Sequence, residues 1–100
     1  MRSEKIMERK KLSPEEILFN LAEMETWKAE SDILSKRFEF ANFAEALEFV
    51  NKVGAIAERH DHHPDISFGW GFAEINLTTH DRGGITISDI AVAKEIDAIA

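Results

Sequence analysis

The sequence predicts an α+β fold in the order α-β-β-α-β-β-α, with a four-stranded antiparallel sheet and three helices packed on one face of it. Segments in which apolar and polar residues alternate occur in two pairs, and a short turn separates the members of each pair. Capping signals for helices lie before, between and after the two pairs. Because strands joined by tight turns run antiparallel, we expect one antiparallel sheet covered by helices.

The first helix is predicted to begin at Pro14. Ser13 provides an N-cap hydroxyl and Glu16 follows three residues later, which is the pattern of a capping box with proline at the first helical position. Residues 1–11 are charged and lack an apolar period, so we predict a flexible N-terminal tail there and a single domain over residues 12–100. Apolar residues at helical spacing follow the cap for about three turns, namely Ile17, Leu18, Leu21 and Met24.

The first hairpin is predicted from two short segments. Residues 27–29 form a candidate strand, residues 30–32 supply turn chemistry, and residues 33–40 alternate between apolar and polar side chains. We therefore expect the two strands to pair with each other.

The second helix is predicted to be the longest element. Asn42 can cap it with Glu45 at the third position, and apolar residues recur at helical spacing to about Arg59. Phe49 and Ile56 widen its apolar face beyond a single stripe. We interpret this width as a sign that the helix also contacts a partner subunit.

The second hairpin and the last helix complete the fold. Residues 66–68 and 72–79 are candidate strands around a glycine-rich turn, and the second of them alternates cleanly. Thr86, with Asp89 three residues later, can open the last helix. Residues 85–87 could alternatively form a brief strand.

Composition limits the classes of function. The chain has 100 residues, and 12 basic against 19 acidic side chains give a net charge of −7, which argues against nucleic-acid binding through phosphate neutralisation. Its hydrophobic fraction of 44% is too high for a disordered chain. The absence of cysteine excludes disulfides and cysteine-based metal sites or nucleophiles. Because no apolar run could span a membrane, we expect a cytoplasmic protein.

All four histidines lie between positions 60 and 80. Imidazole exchanges protons near neutral pH, so a cluster of imidazoles suits acid–base catalysis on a small molecule. Neighbouring carboxylates can orient the rings and raise their basicity. The histidines are His60, His62, His63 and His80, and the candidate carboxylates are Glu58, Asp61, Asp81 and Asp89.

Two other interpretations of the cluster stay open. The histidines together with Asp65 would supply enough nitrogen and oxygen ligands for zinc, although the adjacent His62 and His63 would point in opposite directions in an extended segment. A histidine-rich surface loop without a ligand is the second, and His60 fits it best. Trp27 and Trp70 are core or interface residues more often than platforms for a planar ligand.

The segment Glu58-x-x-Asp61-His62-His63-Pro64 resembles the signature of the pterin-4a-carbinolamine dehydratases. Similarity to this family continues at Trp70, at Thr78-Thr79-His80-Asp81, at Asp89, at Trp27 and along residues 37–40, so it covers about residues 12–99. This sequence departs from the family pattern in two places. Trp70 stands where many members have tyrosine, and His60 is an additional histidine.

The resemblance implies an enzyme that removes water from a 4a-hydroxytetrahydropterin and forms a quinonoid dihydropterin for tetrahydropterin recycling, with no cofactor and no metal. It implies that His62 and His80 donate protons to the departing hydroxyl, and that His63 binds the pterin or takes a proton from a ring nitrogen. The implied pterin-lining residues are Asp61, Thr78, Thr79 and Asp81, and the supporting residues are Glu58, Asp89 and Trp27.

The resemblance also implies partners. Members of the family form dimers or tetramers, and a functional link to an aromatic amino-acid hydroxylase would supply the substrate. Direct contact with nucleic acid or a membrane is not expected. The alternative function is that of a protein-binding dimerisation cofactor or assembly factor that uses the same fold.

Overall fold

The computed structural model describes residues 10–100, and residues 1–9 of the predicted tail lie outside the described residues. The order α-β-β-α-β-β-α is confirmed. The elements are α1 (Pro14–Leu21), β1 (Lys28–Glu30), β2 (Ile33–Glu39), α2 (Phe43–His60), β3 (Asp65–Gly69), β4 (Phe72–Leu77), a 3₁₀ helix (His80–Arg82) and α3 (Ile87–Ile99). Between residues 10 and 100, no helix is long and apolar enough to cross a membrane.

The four strands form one antiparallel sheet in the order β1-β2-β4-β3. Ser31 and Asp32 both adopt left-handed backbone conformations in the first hairpin turn, with φ of 52° and 66°, as a two-residue turn between right-twisted strands requires. Gly71 takes the corresponding position in the second turn, with φ of 83°. The two hairpins join through antiparallel pairing of β2 with β4, so β4 is an inner strand of the sheet.

The core fills the space between one face of the sheet and the helices. Alternate residues of β2 and β4 point into it, which confirms the predicted alternation. Their buried partners lie on α2 and α3, and Ile17 and Leu21 of α1 pack at its margin. The fully or almost fully buried side chains include Leu34, Phe38, Ala73, Ile75, Leu77, Val53, Ile90, Val92 and Ile96.

The helix starts follow the predicted caps. Both oxygen-to-backbone contacts of a capping box are present at Ser13 with Glu16 and at Thr86 with Asp89. The backbone N–H of Ser13 donates to the Glu16 carboxylate and lowers the pKa of that group. Helix α1 is shorter than predicted, because it ends at Leu21 and leaves Leu18 69% exposed. A two-turn helix presents only a narrow stripe to the core.

The interpretation of Phe49 and Ile56 as a sign of subunit contact is wrong. Both side chains are only 4% exposed and belong to the core of the single chain. The phenyl ring of Phe49 contacts Phe38 and Phe40 of the β2 region, with ring centroids 4.7 and 5.0 Å apart. Helix α2 packs against β3, β4 and α3 together, and this threefold contact requires its wide apolar face.

Candidate active site

Two segments that are distant in the sequence meet in a shallow cavity of ≈ 340 Å³. One segment follows α2, and the other follows β4. Together they bring into one place all three predicted catalytic histidines and all four residues predicted to line the pterin. The lining residues are Asp61, His62, His63, Thr78, Thr79, His80 and Asp81.

The end of α2 determines where His62 lies. Asp61 adopts the left-handed conformation with φ of 50°, and its N–H donates to the Glu58 carbonyl at 3.2 Å. The His62 N–H donates to the Ala57 carbonyl at 3.0 Å. This pair of hydrogen bonds is a Schellman motif, which usually has glycine at the left-handed position. A non-glycine residue there is strained, and such strain is concentrated at functional sites.

The second segment is a tight loop closed by backbone hydrogen bonds. Thr79 pairs with Gly84 in an isolated bridge, with the Thr79 N–H 2.9 Å from the Gly84 carbonyl. The Thr79 carbonyl accepts from Arg82 at 3.0 Å. Gly83 completes the turn with φ of 74°, a conformation that glycine adopts at little cost. The loop therefore presents His80 and Asp81 at a fixed point on the cavity rim.

His62 forms the most buried contact of the site. Its Nε2 lies 2.5 Å from Oδ1 of Asp89, whose side chain is completely buried. The other oxygen, Oδ2, accepts from the Thr79 hydroxyl and from the Thr86 N–H, both at 2.9 Å. Asp89 occupies the first turn of α3, where the helix dipole favours a negative charge. The buried carboxylate is thus compensated on both oxygens.

His63 has a carboxylate partner as well, but at the surface. Its Nε2 lies 2.6 Å from Oε2 of Glu58, with 55% of the His63 side chain and 78% of the Glu58 side chain exposed. Exposed pairs of this kind contribute little to stability because solvent screens them. The ring of His63 is therefore free to turn when another group enters the cavity.

The remaining cavity residues differ in how far they are engaged. Across residues 10–100, no side chain forms a hydrogen bond with the exposed imidazole of His80. Thr78 donates its hydroxyl to the Asp32 carbonyl at 2.7 Å, while its oxygen keeps acceptor capacity. Asp61 and Asp81 are exposed at the rim. Thr79 differs from these four, because its hydroxyl and both backbone groups are already paired within the protein.

Two residues singled out in the sequence lie away from the cavity lining. His60 turns toward α3, where its Nε2 is 2.8 Å from Glu95, and Arg59 contacts the same carboxylate. Trp27 is buried in the core, and its indole N–H donates to Asp97 at 3.0 Å. Its predicted supporting role stays a prediction. In the part of the chain that the structure describes, no three potential ligand side chains are grouped to hold a metal ion.

Sequence reasoning missed the second role of Thr86. Its hydroxyl lies 2.8 Å from that of Thr79 and is completely buried, so the helix cap is also part of the hydrogen-bond network behind His62. The capping pattern of Thr86 with Asp89 was visible in the sequence. Its contact with a threonine seven residues earlier depends on the loop fold and has no local sequence signal.

The family model described as pterin 4 alpha carbinolamine dehydratase matches residues 10–99. A protein of Sulfurisphaera tokodaii is 42% identical over 90 residues, which cover 90% of this chain and 97% of that protein. A protein of Rubrobacter xylanophilus is 53% identical over 66 residues, which cover 66% of this chain and 62% of that protein. Both carry pterin-4-alpha-carbinolamine dehydratase as a provisional name.

Solved structures share the fold. A crystal structure from Brucella melitensis, described as a transcriptional coactivator/pterin dehydratase, matches with a TM-score of 0.86 and 28% identity, over 90% of this chain and 98% of that one. A pterin dehydratase-like protein identified as a RuBisCO assembly factor in the alpha-carboxysome matches with a TM-score of 0.61 and 29% identity, over 74% and 86% of the two chains. With its fold shared and residues 10–99 matched, the chain belongs to the pterin 4 alpha carbinolamine dehydratase family.

Proposed function

We propose that this protein is a 4a-hydroxytetrahydropterin dehydratase that removes water by acid–base catalysis without a metal and yields a quinonoid dihydropterin for tetrahydropterin recycling. One observation carries the proposal. Three imidazoles and four polar residues from two distant segments line a single cavity, in a chain that belongs to this family. A solvated surface loop would not require a buried carboxylate behind one of its histidines.

The proposed reaction needs an acid and a base. An imidazolium donates its proton to the 4a-hydroxyl, and the bond between carbon 4a and oxygen breaks as water leaves. A lone pair on the adjacent ring nitrogen forms the new carbon–nitrogen double bond, and a base takes the proton that this nitrogen releases. One proton is donated and one is accepted, so the number of protons on the enzyme is unchanged. Proton exchange with solvent then reprotonates the acid and deprotonates the base before the next turnover. Each positioned transfer accelerates such a step by about 10²–10⁴.

The cavity offers groups for both transfers. We assign proton donation toward the departing hydroxyl to His62 and His80, which reach the cavity from its two opposite segments. His63, which is exposed and free to turn, binds the pterin or accepts the proton from the ring nitrogen. Asp89 supports His62, and Glu58 supports His63, in each case through a direct contact.

Pterin binding is assigned to the polar rim. Carboxylates match the donor groups of a pterin ring, so Asp61 and Asp81 are suited to bind them. Thr78 can accept a further hydrogen bond, whereas Thr79 lines the cavity with its hydroxyl turned inward. An upstream hydroxylase of aromatic amino acids would release the 4a-hydroxylated pterin that this site consumes.

A second candidate is a protein-binding or assembly function on the same fold, and it is favoured by exposed apolar side chains outside the cavity. Phe19 is 81% exposed, Trp70 is 74% exposed and Leu18 is 69% exposed. The relatives described as a coactivator and as an assembly factor share the fold. A homodimer or homotetramer would cover part of this surface, and light scattering at micromolar concentration tests it.

The test follows dehydration of freshly generated 4a-hydroxytetrahydropterin by ultraviolet absorbance with chelator-treated protein. The His62→Ala, His80→Ala double variant removes one imidazole from each segment. His60→Ala is the matched control, because it removes a histidine of the same cluster that contacts Glu95 outside the cavity. We expect fast turnover by the wild type and by His60→Ala, and collapse of the rate in the double variant.

The alternatives give different results. A rate no higher than the spontaneous one would reject the dehydratase and favour the binding function. Loss of activity after chelation, with one equivalent of zinc in gently purified protein, would favour a metal-dependent reaction instead. Equal loss in the double variant and in His60→Ala would show that the cavity is not the site.

A further inference from the structure

The donors around Asp89 have fixed directions. The Thr86 backbone N–H lies 2.9 Å from Oδ2, and an amide N–H can only donate. The Thr79 hydroxyl donates to the same oxygen at 2.9 Å. Oδ2 therefore accepts two hydrogen bonds, and a proton on this oxygen would clash with both donors.

The hydroxyl network behind this oxygen has a single direction as well. The Ser88 N–H donates to the Thr86 hydroxyl oxygen at 3.2 Å. Because Thr79 uses its only hydroxyl proton on Asp89, it accepts from Thr86, whose oxygen lies 2.8 Å away. Every bond from the start of α3 thus runs toward the carboxylate. The three polar side chains involved are buried, so water does not reverse the order.

This order decides which nitrogen of His62 carries the proton. A carboxylate that accepts at both oxygens requires a donor at the Nε2 atom, 2.5 Å from Oδ1. Neutral His62 then has its lone pair on Nδ1, since one nitrogen of a neutral imidazole donates and the other accepts. Asp89 lies in the first turn of α3, so its side chain is at the positive end of the helix dipole.

We propose that Thr79, Thr86 and Asp89 are positioning residues that hold His62 in the Nε2–H tautomer, so that His62 exchanges protons with substrate through Nδ1 alone. The use of Nδ1 on a substrate rests on the proposed dehydratase function. The tautomer itself depends only on the hydrogen-bond network. The Thr79 hydroxyl thereby serves the imidazole and does not contact the pterin.

The test is nitrogen-15 NMR of the imidazoles at a pH where they are neutral, with the His62 signal assigned by its loss in His62→Gln. We expect the Nε2–H tautomer in the wild type. In Asp89→Asn, the side-chain oxygen is retained for the Thr86 N–H, so the amide NH₂ faces His62 and donates to Nε2. The variant should therefore switch His62 to the Nδ1–H tautomer and lower the dehydration rate by about 10²–10⁴.

The threonine part of the proposal has its own matched pair. Thr79→Val removes the hydroxyl that orients Asp89, and we expect kcat to fall about tenfold, the order of one hydrogen bond to a charged group, with KM unchanged. Thr79→Ser restores the hydroxyl and should restore kcat. A role in pterin binding would instead raise KM, and a purely structural role would leave the rate of folded protein unchanged.

The outcomes separate this inference from the function on which it rests. An Nδ1–H or mixed tautomer in the wild type, or an unchanged Nε2–H tautomer in folded Asp89→Asn, would overturn it. If Asp89→Asn does not fold, the tautomer of His62 in the wild type is sufficient to support or overturn the proposal. A tautomer switch in a protein without dehydratase activity would support the network and reject the proposed function.

Discussion

His62 and His63 are adjacent in the chain and each contacts a carboxylate, yet their surroundings are opposite. The His62 side chain is 11% exposed and its partner Asp89 is completely buried, whereas 55% of His63 and 78% of Glu58 are exposed. The distances are almost equal, 2.5 and 2.6 Å. Distance alone therefore says little about what each contact does.

The difference teaches how one short motif supplies two kinds of imidazole. A buried pair that is surrounded by further donors has one geometry, because any rearrangement leaves a polar group without a partner. A pair at the surface is screened, and both side chains can exchange the contact for water. The buried histidine keeps a set orientation and protonation site, while the exposed one is able to adapt to a ligand.

The largest effect is expected from removing each ring. His62→Ala and His63→Ala should each slow dehydration, the first by about 10²–10⁴. Added imidazole should restore much of the rate in His63→Ala, because that position is open to solvent. It should restore little in His62→Ala, because the surrounding side chains are expected to fill the enclosed space and keep a free imidazole out. Steady-state rates with and without imidazole check this. Equal rescue at both positions would contradict the contrast between the buried His62 and the exposed His63.

A second, smaller effect concerns stability. Asp89→Ala leaves the Thr86 N–H and the Thr79 hydroxyl without their acceptor, so it should lower the free energy of unfolding by about 3 kcal/mol. Glu58→Ala removes only an exposed contact and should change it by less than about 0.5 kcal/mol. Urea unfolding at neutral pH, followed by tryptophan fluorescence, measures both. Similar losses in the two variants would mean that burial does not distinguish the pairs.

The sequence could predict most of the fold because its signals are local. The two capping boxes, the hairpin turns and the alternation along β4 each involve residues within a few positions of one another. The residues that line the cavity could also be predicted, since the two histidine-bearing segments match a known motif. The predicted fold class is confirmed by the strand order and the three helices.

The sequence could not show which carboxylate faces which histidine. Asp89 lies 27 positions after His62 and Glu95 lies 35 after His60, so these contacts depend on how α3 crosses the end of α2. The error at Phe49 has the same origin. A wide apolar face indicates how much of a helix is buried. Only the packed structure shows that the sheet and helices of the same chain bury it.

The contact of His60 with Glu95 links the last residue of α2 to α3 at the surface, whereas the contact of His62 with Asp89 links the segment just after α2 to the buried start of α3. The smallest expected effect concerns this surface contact. The hydrogen bond from His60, assisted by the charge of Arg59, lowers the pKa of the Glu95 carboxyl below its ordinary value of 4.5. The ionised carboxyl is thus favoured in the folded state. Its contribution to stability is complete above pH 4.5 and is lost as the pH falls through the lower folded pKa.

Glu95→Gln should therefore lower the Tm by about a degree or two at neutral pH, and the difference from wild type should disappear in acid. Circular dichroism melts across the acidic range measure this. In a His60→Ala background, the main cause of the shift is gone, so the same substitution should have a smaller effect. The dehydration rate should stay unchanged in Glu95→Gln, because the link between α2 and α3 that orients an imidazole toward the cavity is the buried one. A large loss of rate would show that the surface contact also fixes the end of α2, and that the exposed and buried links act as one unit.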